Sequence, residues 1–173
     1  DDFREDKNTL IKKYNEQGYR DAKIVSEKIV TNPGNTIDLD LRINEGDKYY
    51  FRNITWIGNT KYSSEQLNEV LKIKKGDVYN NDLLTTNLSF NLNGLDVTSL
   101  YLDNGYLFFS VDPVEVKVEN DSIDLEMRIY EGKQARINTV TIKGNDRTND
   151  HVIIREIRTK PGELFSRSDI IRT

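Results

Sequence analysis

Apolar and polar positions alternate without a slip from Ile123 to Tyr130. Ile123, Leu125, Met127 and Ile129 fall on one side; Asp124, Glu126, Arg128 and Tyr130 fall on the other. A period of two predicts a strand with one buried and one wet face. The same pattern occurs earlier, where Ile37, Leu39, Leu41 and Ile43 alternate with Asp38, Asp40, Arg42 and Asn44. Each copy runs into Glu-Gly, then a second apolar strand, then Gly-Asn. Glu131-Gly132 lies 86 residues after Glu45-Gly46, and Gly144-Asn145 lies 86 residues after Gly58-Asn59. A fixed period of this size marks a tandem repeat.

Taken in order, Phe3 to Gln17 reads as an amphipathic helix with Phe3, Leu10, Ile11 and Tyr14 inward and Gly18 as its stop. A strand over Tyr19–Thr31 changes phase between Ala22/Ile24 and Val25/Ile29, which predicts a bulge. Asn32 to Asn35 turns the chain into the alternating strand Thr36–Asn44. A complete unit follows. It opens with a strand over Tyr49–Ile57. Ser63 and Gln66 have the spacing of a capping box, ahead of a helix carrying Leu67, Val70 and Leu71 and closed by Lys74-Lys75-Gly76. Asn80 or Asn81 opens a second helix with Leu84, Leu88, Leu92, Leu95, Leu100 and Tyr101 as its inner face, a bend at Gly94 and a stop at Gly105. A strand over Phe108–Glu119 contains Pro113. Proline cannot donate to a ladder, so this strand belongs at a sheet edge or is bulged, whereas the regular strand Ile123–Tyr130 belongs in the centre. A third unit begins with a strand over Ala135–Lys143 and a helix over Asn149–Arg158, turns at Lys160-Pro161-Gly162, and stops before its second helix. The predicted class is α+β: tandem small two-layer β-α-α-β-β units, each with a three-stranded mixed sheet and two helices on one face. Residues 1–48 are the back half of one unit, 49–132 a complete unit, and 133–173 the front half of another.

Composition narrows the function. The net charge of −4 argues against nucleic-acid binding, which needs a basic footprint. The absence of cysteine excludes disulfides and cysteine-based metal or redox sites. No apolar run approaches the ~20 residues of a membrane-spanning helix. No signal peptide is present, and the abrupt start in a charged helix suggests that the true N-terminus is missing. His151, the single histidine, is expected on a helix surface. Asp38, Asp40, Asp124 and Glu126 fall on wet strand faces, where solvation accounts for them. Asn53-Ile54-Thr55 matches a glycosylation triplet but lies in a strand. The Gly-Asn pairs lack the further glycines and lysine of a phosphate loop. No catalytic residue, metal site or cofactor is expected.

The remaining signal is in the backbone: an open strand margin ready to pair with another chain. The candidate residues are Phe109, Ser110, Val111, Asp112, Val114, Glu115, Val116, Lys117 and Val118. A second copy comprises Ala22, Lys23, Ile24, Val25, Ser26 and Glu27.

Several motifs carry a resemblance to a known family. They are Ile54–Asn59 and Val140–Asn145, the Gly18-Tyr19 and Gly105-Tyr106 pairs, the two Glu-Gly hairpin ends, and the stretch Gly144–Ser166. Together they resemble tandem POTRA (polypeptide-transport-associated) domains of outer-membrane β-barrel assembly factors, over essentially the whole chain. By that resemblance the pieces look like a partial third, a complete fourth and a partial fifth domain of a five-domain arm. The resemblance implies a non-enzymatic periplasmic scaffold in an outer-membrane protein. It would handle nascent outer-membrane proteins by strand addition, dock accessory lipoproteins, and meet the membrane only through a C-terminal barrel absent from this chain. A POTRA arm of a related secretion transporter, or a rigid spacer that binds nothing, fits the same architecture. The two half-units together approximate one unit. They therefore suggest either a piece of a longer chain or a swapped homo-oligomer in which neighbouring molecules complete one another.

Overall fold

A computed structural model describes residues 2–145, 147 and 149–173. The motif Gly144–Ser166 includes Asp146 and Thr148, which lie outside the described residues. Helix α1 (Asp2–Glu16) leads into β1 (Lys23–Asn32) and β2 (Thr36–Asn44), an antiparallel pair whose register shifts between Ile24 and Ser26. This is the expected bulge, with Val25 as the extra residue. Next come β3 (Tyr50–Ile57), α2 (Ser64–Leu71), α3 (Asn81–Thr85), a π-helical turn over Thr86–Phe90, α4 (Val97–Leu102), β4 (Ser110–Glu119) and β5 (Ser122–Tyr130). Two short helices, α5 (Asp150–Glu156) and α6 (Arg167–Ile171), complete the chain. The second sheet is mixed, with strand order β3-β5-β4, so the alternating strand is central and the proline-bearing strand is at an edge.

Local chemistry sets the element ends. The Ser63 hydroxyl accepts from the Gln66 amide at 3.3 Å, and the Gln66 side chain accepts from the Ser63 amide at 3.0 Å. This reciprocal box satisfies two amides at the start of α2. The helix ends at Lys72, which takes the left-handed conformation, and not at Lys74-Lys75-Gly76 as the sequence suggested. The expected long second helix is broken. Residues 91–96 leave the helical path, and the buried Asp96 restarts it by accepting from the Ser99 amide at 2.8 Å and the Ser99 hydroxyl at 2.9 Å. Leu92 and Leu95, expected on the inner face, are consequently exposed, as is Phe90. The expected strand over Ala135–Lys143 is also not formed. Only an isolated bridge joins Arg136 to Leu164, because that stretch has no equivalent of β5 beside it among the described residues. The third repeat does enter its second helix, as α6.

The chain divides into two compact units. The first comprises Asp1–Ile54, Ile73–Leu84 and Glu115–Leu125, the second Thr55–Lys72, Thr85–Val114 and Glu126–Thr173. In the first, Ala22, Phe51, Ile73, Tyr79, Leu84, Ile123 and Leu125 are buried, and the Phe51 and Tyr79 rings lie 5.0 Å apart. In the second, Trp56, Leu67, Leu71, Leu88, Val97, Tyr101, Phe109 and Met127 are buried. The Trp56 indole donates to Asn68 at 2.8 Å, and the Asn87 amide side chain donates to the Leu71 carbonyl at 2.8 Å, so these buried polar groups are satisfied.

Each unit contains one boundary between sequence repeats, and both boundaries are built by the same backbone clasp. In the first unit Tyr49 donates to the Gly18 carbonyl at 2.9 Å, Phe51 to Asp77 at 2.9 Å, Gly76 to Phe51 at 2.7 Å and Tyr79 to Tyr49 at 2.9 Å. In the second, Ala135 donates to Gly105 at 2.7 Å, Ile137 to Glu163 at 2.9 Å, Gly162 to Ile137 at 2.7 Å and Phe165 to Ala135 at 3.0 Å. At Gly18 a Cβ would lie 2.7 Å from Val78 and 3.1 Å from the Tyr49 carbonyl, so the clasp needs a residue without a side chain there.

The β1–β2 sheet corrects one further expectation. Its alternation matches that of β5, yet Ile37 and Leu39 are exposed whereas Ile123, Leu125 and Met127 are buried. Alternation decides which way side chains point, but burial also needs a covering element. Helix α1 lies along the Ala22–Glu27 end of β1.

Candidate strand-docking margin

The candidate site is the open side of β4. A three-stranded sheet has two edges, and the one at β3 is already engaged at its start. Tyr50 bridges Val78, and Phe51 both donates to Asp77 and accepts from Gly76. The β4 edge is flanked by no strand of its sheet on its outer side. From Val114 to Glu119 valines alternate with charged residues, and Val111 falls out of that phase across Pro113. Val111 and Val114 are half-buried, Val116 and Val118 are 50% and 46% exposed, and Ser110, Asp112, Glu115 and Lys117 face water. Pro113 lies within the strand, in keeping with an edge position. Phe109 was expected to belong to the margin. Instead it precedes β4, is only 9% exposed, and stacks on Tyr101 with ring centroids 4.0 Å apart.

Glu115 is not a free acid on this strand. One carboxylate oxygen accepts from the Arg20 guanidinium at 2.7 Å, and the other accepts from the Tyr79 hydroxyl at 3.0 Å. The guanidinium carbon also lies 5.3 Å from the Tyr49 ring centre and 5.8 Å from that of Tyr79. Burial, followed by the adjacent Glu115 charge, pushes the Tyr79 hydroxyl up to about 12. For Arg20, burial works against the charge, but the Glu115 partner outweighs it and the guanidinium is held charged more firmly than usual.

At the far end of the strand Arg52 gathers two acids. Its guanidinium donates to both Asp124 oxygens at 2.8 Å and to Glu119 at 2.9 Å, Asn53 adds a bond to Asp124 at 2.9 Å, and Lys117 reaches Glu119 at 2.7 Å. Asp124, read from sequence as merely solvated, is therefore a bidentate partner of arginine, and this bond lowers its pKa to about 2. The sign of the pH effect follows from that depression. The stabilisation from Asp124 is complete above the ordinary aspartate range near 4 and is lost as pH falls towards 2. We expect an Asp124→Asn variant to show a smaller fall in melting temperature between pH 5 and pH 2 than the parent chain. Equal falls would show that this ion pair does not contribute.

The recurring Glu-Gly has a physical role that spacing alone did not reveal. The Glu131 carboxylate accepts from the Thr60 amide at 2.8 Å, the Lys61 amide at 2.9 Å and the Tyr101 hydroxyl at 3.1 Å. Burial acts to raise its pKa, but these donors outweigh it and the net shift is downward. Tyr14 and Glu45 repeat the tyrosine–glutamate pair in the first repeat, where the bond to Glu45 raises the tyrosine.

The second copy of the margin is β1. Ala22 is buried and precedes the strand, Val25 forms the bulge, and Lys23, Ser26 and Glu27 are exposed. Together with Lys7, Asn8 and Ile11 of α1, residues Ala22, Lys23, Ile24 and Glu27 line a shallow groove of about 380 Å³. Lys7 closes on Glu27 at 2.6 Å. Among the described residues, no cluster of His, Asp and Glu could hold a metal ion, and no helix is long and apolar enough to cross a membrane. His151 is exposed in the first turn of α5.

Comparison with known proteins agrees with this geometry. The family model POTRA, described as a surface antigen variable number repeat, matches residues 1–46, 49–132 and 135–173. The chain is 27% identical over 169 residues to an outer membrane protein assembly factor of Treponema pallidum, covering 94% of this chain and 20% of that protein. It is 25% identical over 175 residues to the outer membrane protein assembly factor BamA of Neisseria meningitidis, covering 99% and 21% respectively. It therefore spans about a fifth of the length of these curated relatives. Among solved structures, the POTRA3-5 region of Haemophilus influenzae BamA superposes with a TM-score of 0.68 at 20% identity, over 98% of this chain and 66% of that one. BamA of Haemophilus ducreyi lacking POTRA domains 1–3 gives 0.51 at 17% identity, over 77% and 23%. These likenesses to solved structures concern the fold. The chain belongs to the POTRA family, as a non-enzymatic tandem POTRA region of the kind carried by BamA-like outer membrane protein assembly factors.

Proposed function

We propose that this chain is a periplasmic scaffold segment that binds unfolded β-barrel precursors by adding their extended strands to the β4 margin. In this reading residues 1–48, 49–132 and 133–173 are parts of a third, a complete fourth and part of a fifth POTRA domain. The β1 margin is a second docking edge, and accessory lipoproteins of the assembly complex are further partners. The observation that carries the proposal is the place of β4 at the outside of its sheet, beyond the central β5. An unpaired row of amides and carbonyls supplies affinity without demanding a particular side-chain sequence, which suits a protein handling many clients.

Cross-linking tests it. Photoreactive residues at Ser110 and Val116, in the full-length protein, should capture outer-membrane precursors during synthesis, and a probe on the exposed face of α5 should not. Silence at both β4 positions would favour a rigid spacer. Val116 serves better than Glu115 as a probe position because Glu115 is engaged by Arg20 and Tyr79.

A further inference from the structure

Both strands put forward as docking margins carry a glutamate, and each glutamate is neutralised by a cation from outside its own hairpin. In β1, Glu27 meets Lys7 of α1 at 2.6 Å. In β4, Glu115 meets Arg20 at 2.7 Å across 95 residues of sequence, and its second oxygen takes the Tyr79 hydroxyl at 3.0 Å. Arg20 belongs to the first repeat and Glu115 to the second, so this contact crosses a repeat boundary inside one compact unit. The same boundary is clasped by Tyr49 donating to Gly18 and by Asn80 reaching the Glu16 carbonyl at 3.4 Å.

An unpaired charge on an exposed edge strand is a device by which proteins keep foreign strands away, because an incoming strand must strip water from it. A paired and hydrogen-bonded carboxylate presents much less of that barrier. We propose that Arg20 is a positioning residue for the β4 margin: by pairing with Glu115 against Tyr79 it converts a gatekeeping acid into a neutral part of the strand, so that the margin of the second repeat is open to an extended chain while the first repeat is seated against it. This deepens the strand-docking reading and rests on it. It also makes the first repeat a determinant of binding at a strand it does not contribute.

The test compares the parent chain with Arg20→Gln, Glu115→Gln and the double variant. The probe is a fluorescent ten-residue peptide of alternating threonine and valine, uncharged so that neither Arg20 nor Glu115 attracts it directly. Arg20→Gln should weaken binding by about fivefold, the scale of one partly exposed ion pair. The double variant should return to within about twofold of the parent, although it has lost the same ion pair, because no unpaired charge is left at position 115. A double variant as weak as Arg20→Gln would overturn the proposal and reduce the pair to a strut of the boundary. Amide hydrogen exchange over residues 115–119 of the free protein gives an independent readout. Exchange should quicken in Arg20→Gln and return to the parent rate in the double variant, and equal quickening in both would also overturn it. If the parent chain fails to bind the peptide while this exchange pattern holds, strand docking is refuted and the charge-neutralising role of Arg20 stands.

Discussion

Alanine at Gly58 is expected to destabilise the middle repeat by on the order of 3 kcal/mol or more, while alanine at Gly144, its counterpart in the next repeat, costs only about 1 kcal/mol. Both glycines have positive φ, 89° and 82°, so each substitution carries a dihedral penalty. They differ in their surroundings. A Cβ at Gly58 would lie 2.2 Å from the Ile129 carbonyl oxygen, a backbone atom in the central strand that no rotamer change can move. A Cβ at Gly144 would have nothing within 4 Å. The single tryptophan, Trp56, lies two residues before Gly58 and is nearly buried, so its fluorescence reports the middle repeat. In urea unfolding the Trp56 midpoint should fall sharply for Gly58→Ala and stay close to the parent for Gly144→Ala. Equal losses would contradict the close approach of the β3 turn to β5.

Proline placed on β4 is expected to abolish strand docking without unfolding the repeat, at one of two neighbouring positions. Successive amides of an edge strand alternate between the ladder and the open side. Of Val116→Pro and Lys117→Pro, one therefore removes an amide bonded towards β5 and the other removes an amide aimed outward. The outward one should leave the melting temperature within a few degrees of the parent and cut client cross-linking at Ser110 by roughly tenfold or more, since a docked strand would lose a main-chain bond and meet the proline ring. The inward one should lower stability. If neither variant that remains folded loses cross-linking, clients do not pair with this margin.

Much of this architecture was legible in local patterns. The alternation of Ile123–Tyr130 marks a central strand, Pro113 marks an edge, the phase change around Val25 marks a bulge, and Ser63 with Gln66 marks a helix start. In each case the signal lies within a few residues of the feature. The parts that were not legible depend on distant partners. Ala135–Lys143 reads as a strand, but among the described residues only its start, Ala135–Ile137, meets a neighbouring backbone, at Gly162–Phe165, so it forms the Arg136–Leu164 bridge and no strand. Ile37 and Leu39 alternate correctly yet stay exposed, because periodicity says nothing about a covering layer. Leu92 and Leu95 fit a helical stripe, but Asp96 caps a new helix and the stripe is interrupted. Phe109 reads as the start of the margin and is instead stacked on Tyr101. The Arg20–Glu115 pair spans 95 residues, and neither residue stands out in its own surroundings. The repeat offset did hold a usable clue to one missed feature: with the Glu-Gly pairs 86 residues apart, Glu131 accepts from the Tyr101 hydroxyl and Glu45 raises the Tyr14 hydroxyl.

The measurement that bears most directly on the account is intermolecular NMR between the isotope-labelled chain and an unlabelled strand peptide from an outer-membrane client. Strand addition predicts backbone-to-backbone nuclear Overhauser effects from the peptide to residues Val114–Val118, recurring at every second position, with new protection of the outward β4 amides. Peptide contacts confined to helix side chains, or β4 amides unchanged at saturating peptide, would contradict it.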